Sequence, residues 1–336
     1  MLGGSDLRHV SDAAPGLVRK RAGKTFVYLD PRGRRVRSPS VLSRVKALAI
    51  PPAWSDVWIC ADAKGHLQAT GRDARGRKQY RYHQSFREAR ECAKYEHLFD
   101  FAKALPRIRG AVAKDMAASG LPREKVIATV VYLLEATLIR VGNSDYARQN
   151  KSYGLTTMRD PHVRVEGAEM TFAFTGKSGR AWHITLKDKR IARIVKACRD
   201  LPGQHLFQYL DDDGKRQRVN STDVNAYLRS VSGREVTAKD FRTWTGTLMA
   251  ALILSGQDSP HSETAAKRAI TTCVKQVSER LGNTVAICRK CYIHPAVIEA
   301  FTKGTLPQRF KLKGSRRRDG LEPEEAALLS LLKSRS

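Results

Sequence analysis

Acidic side chains are scarce in this 336-residue chain, with 33 Asp and Glu against 61 Lys and Arg and a net charge of +28. The excess is not a tail effect, since residues 1–96 alone hold 20 basic and 9 acidic side chains. Charge so large and so spread out suggests a partner that is a polyanion, because neutralising many phosphates releases counterions. A ribosome-associated or merely soluble basic protein would share this trait. No apolar run reaches the length of a membrane span, and Met1 to Arg21 lacks the layout of a signal peptide. Cysteines are few for the length (Cys60, Cys92, Cys198, Cys273, Cys288, Cys291) and do not form a secreted disulfide pattern, so a reducing cytoplasm is expected. Cys288-x-x-Cys291 with His294 nearby lacks a second ligand pair to complete four, so packing thiols are expected rather than a metal site.

A phosphate-binding P-loop is also missing. Gly176-Lys177-Ser178 matches its tail, but Thr171 stands where a glycine is needed, and strand-forming residues follow instead of a helix. The surrounding residues read as a β-hairpin: Met170, Phe172 and Phe174 alternate, Thr175 to Gly179 turns, and Ala181 to Leu186 returns. Lys177 at such a tip is either a solvated turn lysine or a cation reaching into a neighbouring groove.

What is present divides the chain into an expected β-rich part over 1–96, a mostly helical part over 97–305, and a basic linker with a peripheral helix over 306–336. In the first part, Lys24–Leu29, Val57–Cys60, His66–Thr70 and Arg77–Tyr82 read as short antiparallel strands between Gly, Pro and Asp turns. On the last of these, Lys78, Tyr80 and Tyr82 fall on one face, because strand side chains alternate. Aromatics interleaved with cations suit phosphates and base edges, although a solvated edge strand would look the same.

The pattern turns helical near Phe86. Pro122 opens a helix expected over Arg123–Val141, with an apolar stripe through Val126, Val130, Leu133 or Leu134, and Leu138, and with Gly142 as its C-cap. Arg140 then lies on its last turn, either complementing the helix dipole or serving the loop that carries Asn143, Tyr146, Lys151 and Tyr153. A further helix begins around Lys239-Asp240-Phe241-Arg242, and another runs from Pro260-His261-Ser262 to about Leu281, closing at Gly282. The tail from Lys303 is basic at Lys311, Lys313, Arg316, Arg317 and Arg318, then acidic and apolar from Glu322 to Leu332.

The stretch Leu281 to Pro295 holds the strongest candidate for chemistry. Its one phenol, Tyr292, follows Arg289 and Lys290 and precedes Pro295. A phenol ionises only near pH ~10, and neighbouring cations both favour the phenolate and attract a phosphate. A packing tyrosine on a basic helix is the plain alternative.

Arg140, the hairpin Lys177, Lys239-Asp240-Phe241-Arg242, and Gly282-Asn283-Thr284 shortly before Tyr292 occur in an order that resembles the type IB DNA topoisomerases. The poxvirus-type enzymes and their bacterial relatives are the nearest likeness. Arg75 to Tyr82 is similar to that family's DNA-contacting strand, so the resemblance spans roughly Leu7 to Lys303. It implies an α+β fold of two lobes closing as a C-shaped clamp, a small antiparallel β-rich domain and a larger helical catalytic one. It also implies that Tyr292 attacks a phosphodiester of duplex DNA, giving a 3′-phosphotyrosine and a free 5′-hydroxyl that later reseals the strand. By that likeness Arg140 and Arg242 stabilise the transition state and Lys177 is the general acid. Asn283, where the family often has histidine, donates a hydrogen bond without a titratable charge. Gln79, Tyr80, Tyr82, Arg77, Lys78, Tyr146, Lys239 and Arg289 would contact DNA. The energy of the broken bond is kept in the phosphotyrosine, so no ATP and no metal cofactor is expected, and the enzyme would act as a monomer at the nucleoid. Tyrosine recombinases share a similar Arg, Lys and Tyr set. They lack the β-rich lobe with Gln79-Tyr80-x-Tyr82, and usually have histidine where Lys239 stands. A non-catalytic nucleic-acid-binding protein would explain the charge alone.

One spacing needs a structural answer. Nine residues of continuous helix turn through about 900°, which would put Asn283 and Tyr292 on opposite faces. The two can share a site only if the segment bends or its helix starts after Asn283.

Overall fold

The computed structural model describes residues 6–23, 25–211, 213–312, 314, 317 and 319–333, with residues 90–96 described by their backbone alone. Lys24, Lys313, Arg316, Arg318 and the Cys92 side chain, all used above, lie outside what is described. The chain divides into two compact units, Met1–Tyr95 and Glu96–Ser336.

The first unit contains β1 (Gly16–Ala22), β2 (Thr25–Leu29), α1 (Pro39–Ala47), β3 (Ser55–Cys60), β4 (Leu67–Arg72) and β5 (Lys78–Tyr82). They form one antiparallel sheet in the order β2-β1-β3-β4-β5, packed around Leu17, Val45, Val57, Ile59 and Ala69. Four of these strands were expected, while β1 and α1 were not. β1 reads as a basic run, GLVRKRA, yet Leu17 and Arg19 turn inward. The Arg19 guanidinium is satisfied there by the carbonyls of Ile50 (3.2 Å), Pro51 (3.0 Å) and Trp54 (2.7 Å), and it lies 4.2 Å from the centre of the Phe26 ring. A buried cation with three carbonyl acceptors replaces the apolar residue that alternation would require.

The long helix α2 (Gln84–Met116) is followed by α3 (Arg123–Thr137), α4 (Ser144–Asn150), β6 (Val163–Glu166), β7 (Glu169–Thr175), β8 (Ala181–Lys187) and α5 (Lys189–Asp200). β6, β7 and β8 form a three-stranded antiparallel sheet in that order. Then come β9 (Gln208–Leu210), β10 (Arg216–Arg218), α6 (Ser221–Ser232), α7 (Ala238–Ser255), α8 (Glu263–Leu281), α9 (Val285–Tyr292), α10 (Pro295–Thr302), α11 (Leu306–Arg309) and α12 (Pro323–Lys333). One continuous core runs from Leu98 to Leu332, with Phe101, Ile127, Phe172, Phe207 and Phe241 fully enclosed.

Three expectations need correction. α3 stops at Thr137, four residues early, and its C-cap is Leu138 in the left-handed region (φ 59°) rather than Gly142. The chain beyond is drawn out of the helix by pairing with a distant loop. Leu155 N donates to Arg140 O (2.9 Å), and Thr156 N donates to Val141 O (2.7 Å). Arg140 therefore lies beyond the end of α3 and not on its last turn. The C-terminal segment is also less peripheral than expected, since α12 buries Ala327, Leu328, Leu331 and Leu332 in the shared core. Buried Glu325 accepts from Arg109 at both carboxylate oxygens (2.8 Å each), and Trp244 Nε1 lies 3.3 Å from Oε1. Lastly, the helix that begins at Lys239-Asp240-Phe241-Arg242 is expected to run apolar through Leu248, Ala251 and Leu252, whereas Leu252 is exposed.

Candidate active site

The break between α8 and α9 answers the spacing question. α8 ends at Leu281, Gly282 adopts φ +61° as its cap, and Thr284 starts α9 by accepting a hydrogen bond from Ile287 N (3.3 Å). Asn283 occupies the turn between two helices, and Tyr292 is the last residue of the second. Of the two alternatives, a bent segment or a helix that starts after Asn283, the second describes α9.

α7 supplies the wall of the site. Arg242 is buried, at 3 % exposure, and donates to the carbonyls at two broken helix ends, Leu138 O and Leu281 O (2.6 Å to the latter). Its guanidinium carbon lies 5.3 Å from the centre of the Tyr292 ring. Arg140 donates from Nη2 to Gly282 O (2.9 Å) and to Asn283 Oδ1. Helix-terminal carbonyls lack intrahelical partners, so a guanidinium satisfies them while staying fixed in place.

Neither arginine has a carboxylate partner among the described residues. Burial, reinforced by the like charge of Arg242, brings the Arg140 pKa down to about 10, with Tyr292 and Tyr146 opposing the shift. Burial likewise lowers that of Arg242, against the influence of Tyr292. Two buried donors here have no hydrogen-bond acceptor, Arg242 Nε and Asn283 Nδ2. Partly desolvated cations held together, with unpaired donors between them, form an arrangement that favours an anion.

Tyr292 is half-buried, and its backbone is held close to α7. A Cβ added at Gly246 would lie 2.6 Å from Tyr292 O and 3.3 Å from Tyr292 Cβ, so only glycine admits this approach. The Thr247 hydroxyl accepts from His294 N (3.1 Å) and lies 3.3 Å from Tyr292 O. Sequence reasoning missed Gly246 and Thr247. A signal was available, because a glycine inside an apolar helix costs about 1 kcal/mol relative to alanine and asks for a packing reason. Cys288 is fully buried, and burial raises its thiol pKa to about 11, while Cys291 is half-buried. No group of His, Cys, Asp or Glu with metal-ligand geometry occurs among the described residues.

The β7–β8 hairpin carries Lys177, exposed, in a short turn spanning Lys177–Gly179. Its Nζ stands 6.0 Å from the Tyr146 ring centre. Tyr146 lies on α4, where Asn143 caps the helix by accepting from Tyr146 N (2.8 Å). Beside α4 is a cavity of about 630 Å³ whose lining includes Arg148, Lys151, Arg159, His205 and Arg218, a basic surface the sequence did not reveal. His205 Nε2 is 2.9 Å from Arg218 Nη1, and because arginine can only donate, the imidazole accepts there. Burial, then Arg218, lowers the pKa of His205. Lys239, on the first turn of α7, and Arg289, on α9, are exposed and make no ion pair among the described residues.

In the first unit, Lys78, Tyr80 and Tyr82 share the exposed face of edge strand β5, as alternation requires. The two tyrosine rings are stacked 6.0 Å apart, and Lys78 Nζ is 5.7 Å from the Tyr80 ring centre. Gln79 falls on the opposite face and donates to Asp73 (3.0 Å). Asp73 also pairs with Arg77 (2.6 Å), whose hydrogen bond lowers the Asp73 pKa to about 2. Lys78 pairs with Asp12 (2.5 Å).

A small antiparallel unit followed by a helical one, with such a basic site, is the fold class of the DNA topoisomerases. The family described as the eukaryotic DNA topoisomerase I catalytic core matches residues 83–313, and that described as the bacterial DNA topoisomerase IB N-terminal domain matches residues 25–73. The chain belongs to the type IB DNA topoisomerase family. It is similar to DNA topoisomerase 1B of Acanthamoeba polyphaga mimivirus, with 33% identity over 303 residues covering 88% of this chain and 89% of that protein. DNA topoisomerase 1B of Vaccinia virus (strain Copenhagen) is 23% identical over 287 residues, 82% and 87% of the two chains. DNA topoisomerase 1 of Mycosarcoma maydis aligns over 182 residues at 24% identity, covering 49% of this chain and 18% of that protein.

Proposed function

We propose that this enzyme relaxes supercoiled duplex DNA through a covalent tyrosine intermediate, needing neither ATP nor a metal. Tyr292 Oη gives up its proton to solvent and attacks a backbone phosphorus in line with the bond to the 5′-oxygen. The new P–O bond makes a 3′-phosphotyrosine, the P–O5′ bond breaks, and the departing oxygen takes a proton from Lys177. The helix beyond the nick swivels, the 5′-hydroxyl returns its proton to Lys177 as it attacks the same phosphorus, and the Tyr292 phenolate departs and takes a proton from solvent. The observation that carries this reading is the convergence of Arg140, Arg242 and Asn283 beside Tyr292, with two buried donors unpaired and, among the described residues, no carboxylate to neutralise the cations.

Negative charge that builds on the non-bridging oxygens would meet donors already oriented for it, each typically contributing about 3–4 kcal/mol to such a transition state. Tyr80, Tyr82 and Lys78 on their strand, and Tyr146, Lys239 and Arg289 in the helical unit, are assigned to DNA contact, together with Arg77 and Gln79. The basic cavity beside α4 suits the same polyanion. Action as a monomer is part of the same proposal, and duplex DNA as substrate fits a cytoplasmic, nucleoid-associated enzyme.

The test is relaxation of supercoiled plasmid in EDTA without ATP, comparing the wild type with Tyr292→Phe. Relaxation by the wild type alone, with DNA binding kept in both, is expected. Relaxation by Tyr292→Phe would overturn the assignment.

A further inference from the structure

The hairpin that carries Lys177 is tied to the turn that carries Asn283, and the tie runs through one side chain that the reaction itself does not use. Trp182, on β8, lies between two glycines. A Cβ added at Gly282 would come within 2.1 Å of its Cζ2, and one added at Gly176 within 2.5 Å of its Nε1. Gly282 precedes Asn283, and Gly176 precedes Lys177. Gly282 already requires glycine for its φ of +61°, so its identity is not diagnostic. Gly176 is extended (φ −93°, ψ −170°), a conformation open to any residue, so only the indole against its Cα excludes a side chain there.

A second contact reinforces the first. Arg180 lies over the same indole, 5.4 Å from its centre, and donates from Nη2 to Glu279 O (2.8 Å) on the last turn of α8. Gly176 N donates to Arg180 O (2.7 Å), which closes the tip on itself. The ring of Phe174 is parallel to the indole within 3° at 6.2 Å and supports it from the hairpin side. An aromatic seated between two backbone segments fixes their separation with two torsions, whereas a flexible lysine on a free tip would sample many.

We infer that Trp182 is a positioning residue, holding the tip that bears Lys177 against the Gly282–Asn283 turn so that the ammonium meets the departing oxygen. This rests on the reading of Lys177 as general acid. A purely structural tryptophan would affect every step alike, whereas a positioning role predicts a defect confined to proton delivery.

Single-turnover cleavage separates the two by comparing an ordinary scissile phosphodiester with one whose bridging 5′-oxygen is sulfur. The thiolate departs as an anion when the P–S bond breaks, and it needs no proton. Trp182→Leu and Lys177→Ala should each slow cleavage of the ordinary substrate by about tenfold or more. Both should cleave the sulfur substrate near the wild-type rate, while Asn283→Ala stays slow on both. Failure of Lys177→Ala to recover would remove the general acid and this inference with it. Recovery of Lys177→Ala without Trp182→Leu would overturn the positioning role alone, as would a Trp182→Leu enzyme with unaltered cleavage. Should Trp182→Leu fail to fold, Gly176→Ala presses on the same indole from the hairpin tip and is held to the same outcomes.

Discussion

Arg140 and Arg242 are kept partly out of water with no carboxylate among the described residues to offset them, a costly placement for the folded chain. Because burial and the neighbouring guanidinium lower the Arg140 pKa to about 10, folding disfavours its charged form at every pH below that value. The destabilisation is full at neutral pH and fades as pH rises through about 10. Arg140→Gln should therefore raise the melting temperature at pH 7, with the gain shrinking above pH 10. Cleavage by the same variant should fall by about 10²–10³-fold. Calorimetry beside single-turnover kinetics checks both halves. Asn283 gives a second residue-level prediction. Its amide cannot titrate, so no pH–rate limb near pH ~6.5 should arise from this position, while Asn283→Ala should slow cleavage about 10²-fold. A limb that vanished in the variant would contradict this. The types of these residues were legible from their order along the chain. Their partners were not: Arg140 bonding Gly282, or Gly246 meeting Tyr292, joins segments far apart in sequence, and no local pattern records such a contact.

Between elements, the site depends on where helices end. α3 stops at a left-handed leucine, α8 at a left-handed glycine, and α9 begins three residues later; the carbonyls exposed at the first two ends are what Arg140 and Arg242 bind. The second end was readable because Gly282-Asn283-Thr284 offers a C-cap and an N-cap in succession. The first was not, since leucine favours helix and only pairing with the loop at Leu155 draws the chain away. β1 was hidden in the same way, its inward arginine satisfied by carbonyls from another segment. The contact between α7 and α9 gives the test at this scale. Gly246→Ala would force its methyl against the Tyr292 carbonyl and should destabilise the protein by about 1–3 kcal/mol. Urea denaturation would measure that loss, and cleavage should fall while DNA affinity stays.

For the whole molecule, the +28 charge predicts steeply salt-dependent binding, a property composition alone made legible. The structure adds that part of this charge is already engaged, since Lys78 is paired with Asp12 and Arg77 with Asp73. On the proposed reading of Lys78 and Arg77 as DNA contacts, DNA displaces these carboxylates. Asp12→Asn should therefore tighten binding and steepen the slope of log affinity against log salt by up to about one, measurable by fluorescence anisotropy at several salt concentrations. An unchanged slope would mean that Lys78 stays away from the phosphates.

The eight-residue α9 has a mechanical consequence. On the proposed reading the broken strand is joined to the protein only through Tyr292, at the end of a helix about 12 Å long. Whatever torque the swivelling DNA exerts is borne there, by buried Cys288, the Thr284 cap and the close approach to Gly246 and Thr247. Those few anchors, rather than the large core behind them, set how hard the DNA can pull before the nucleophile leaves its place for resealing.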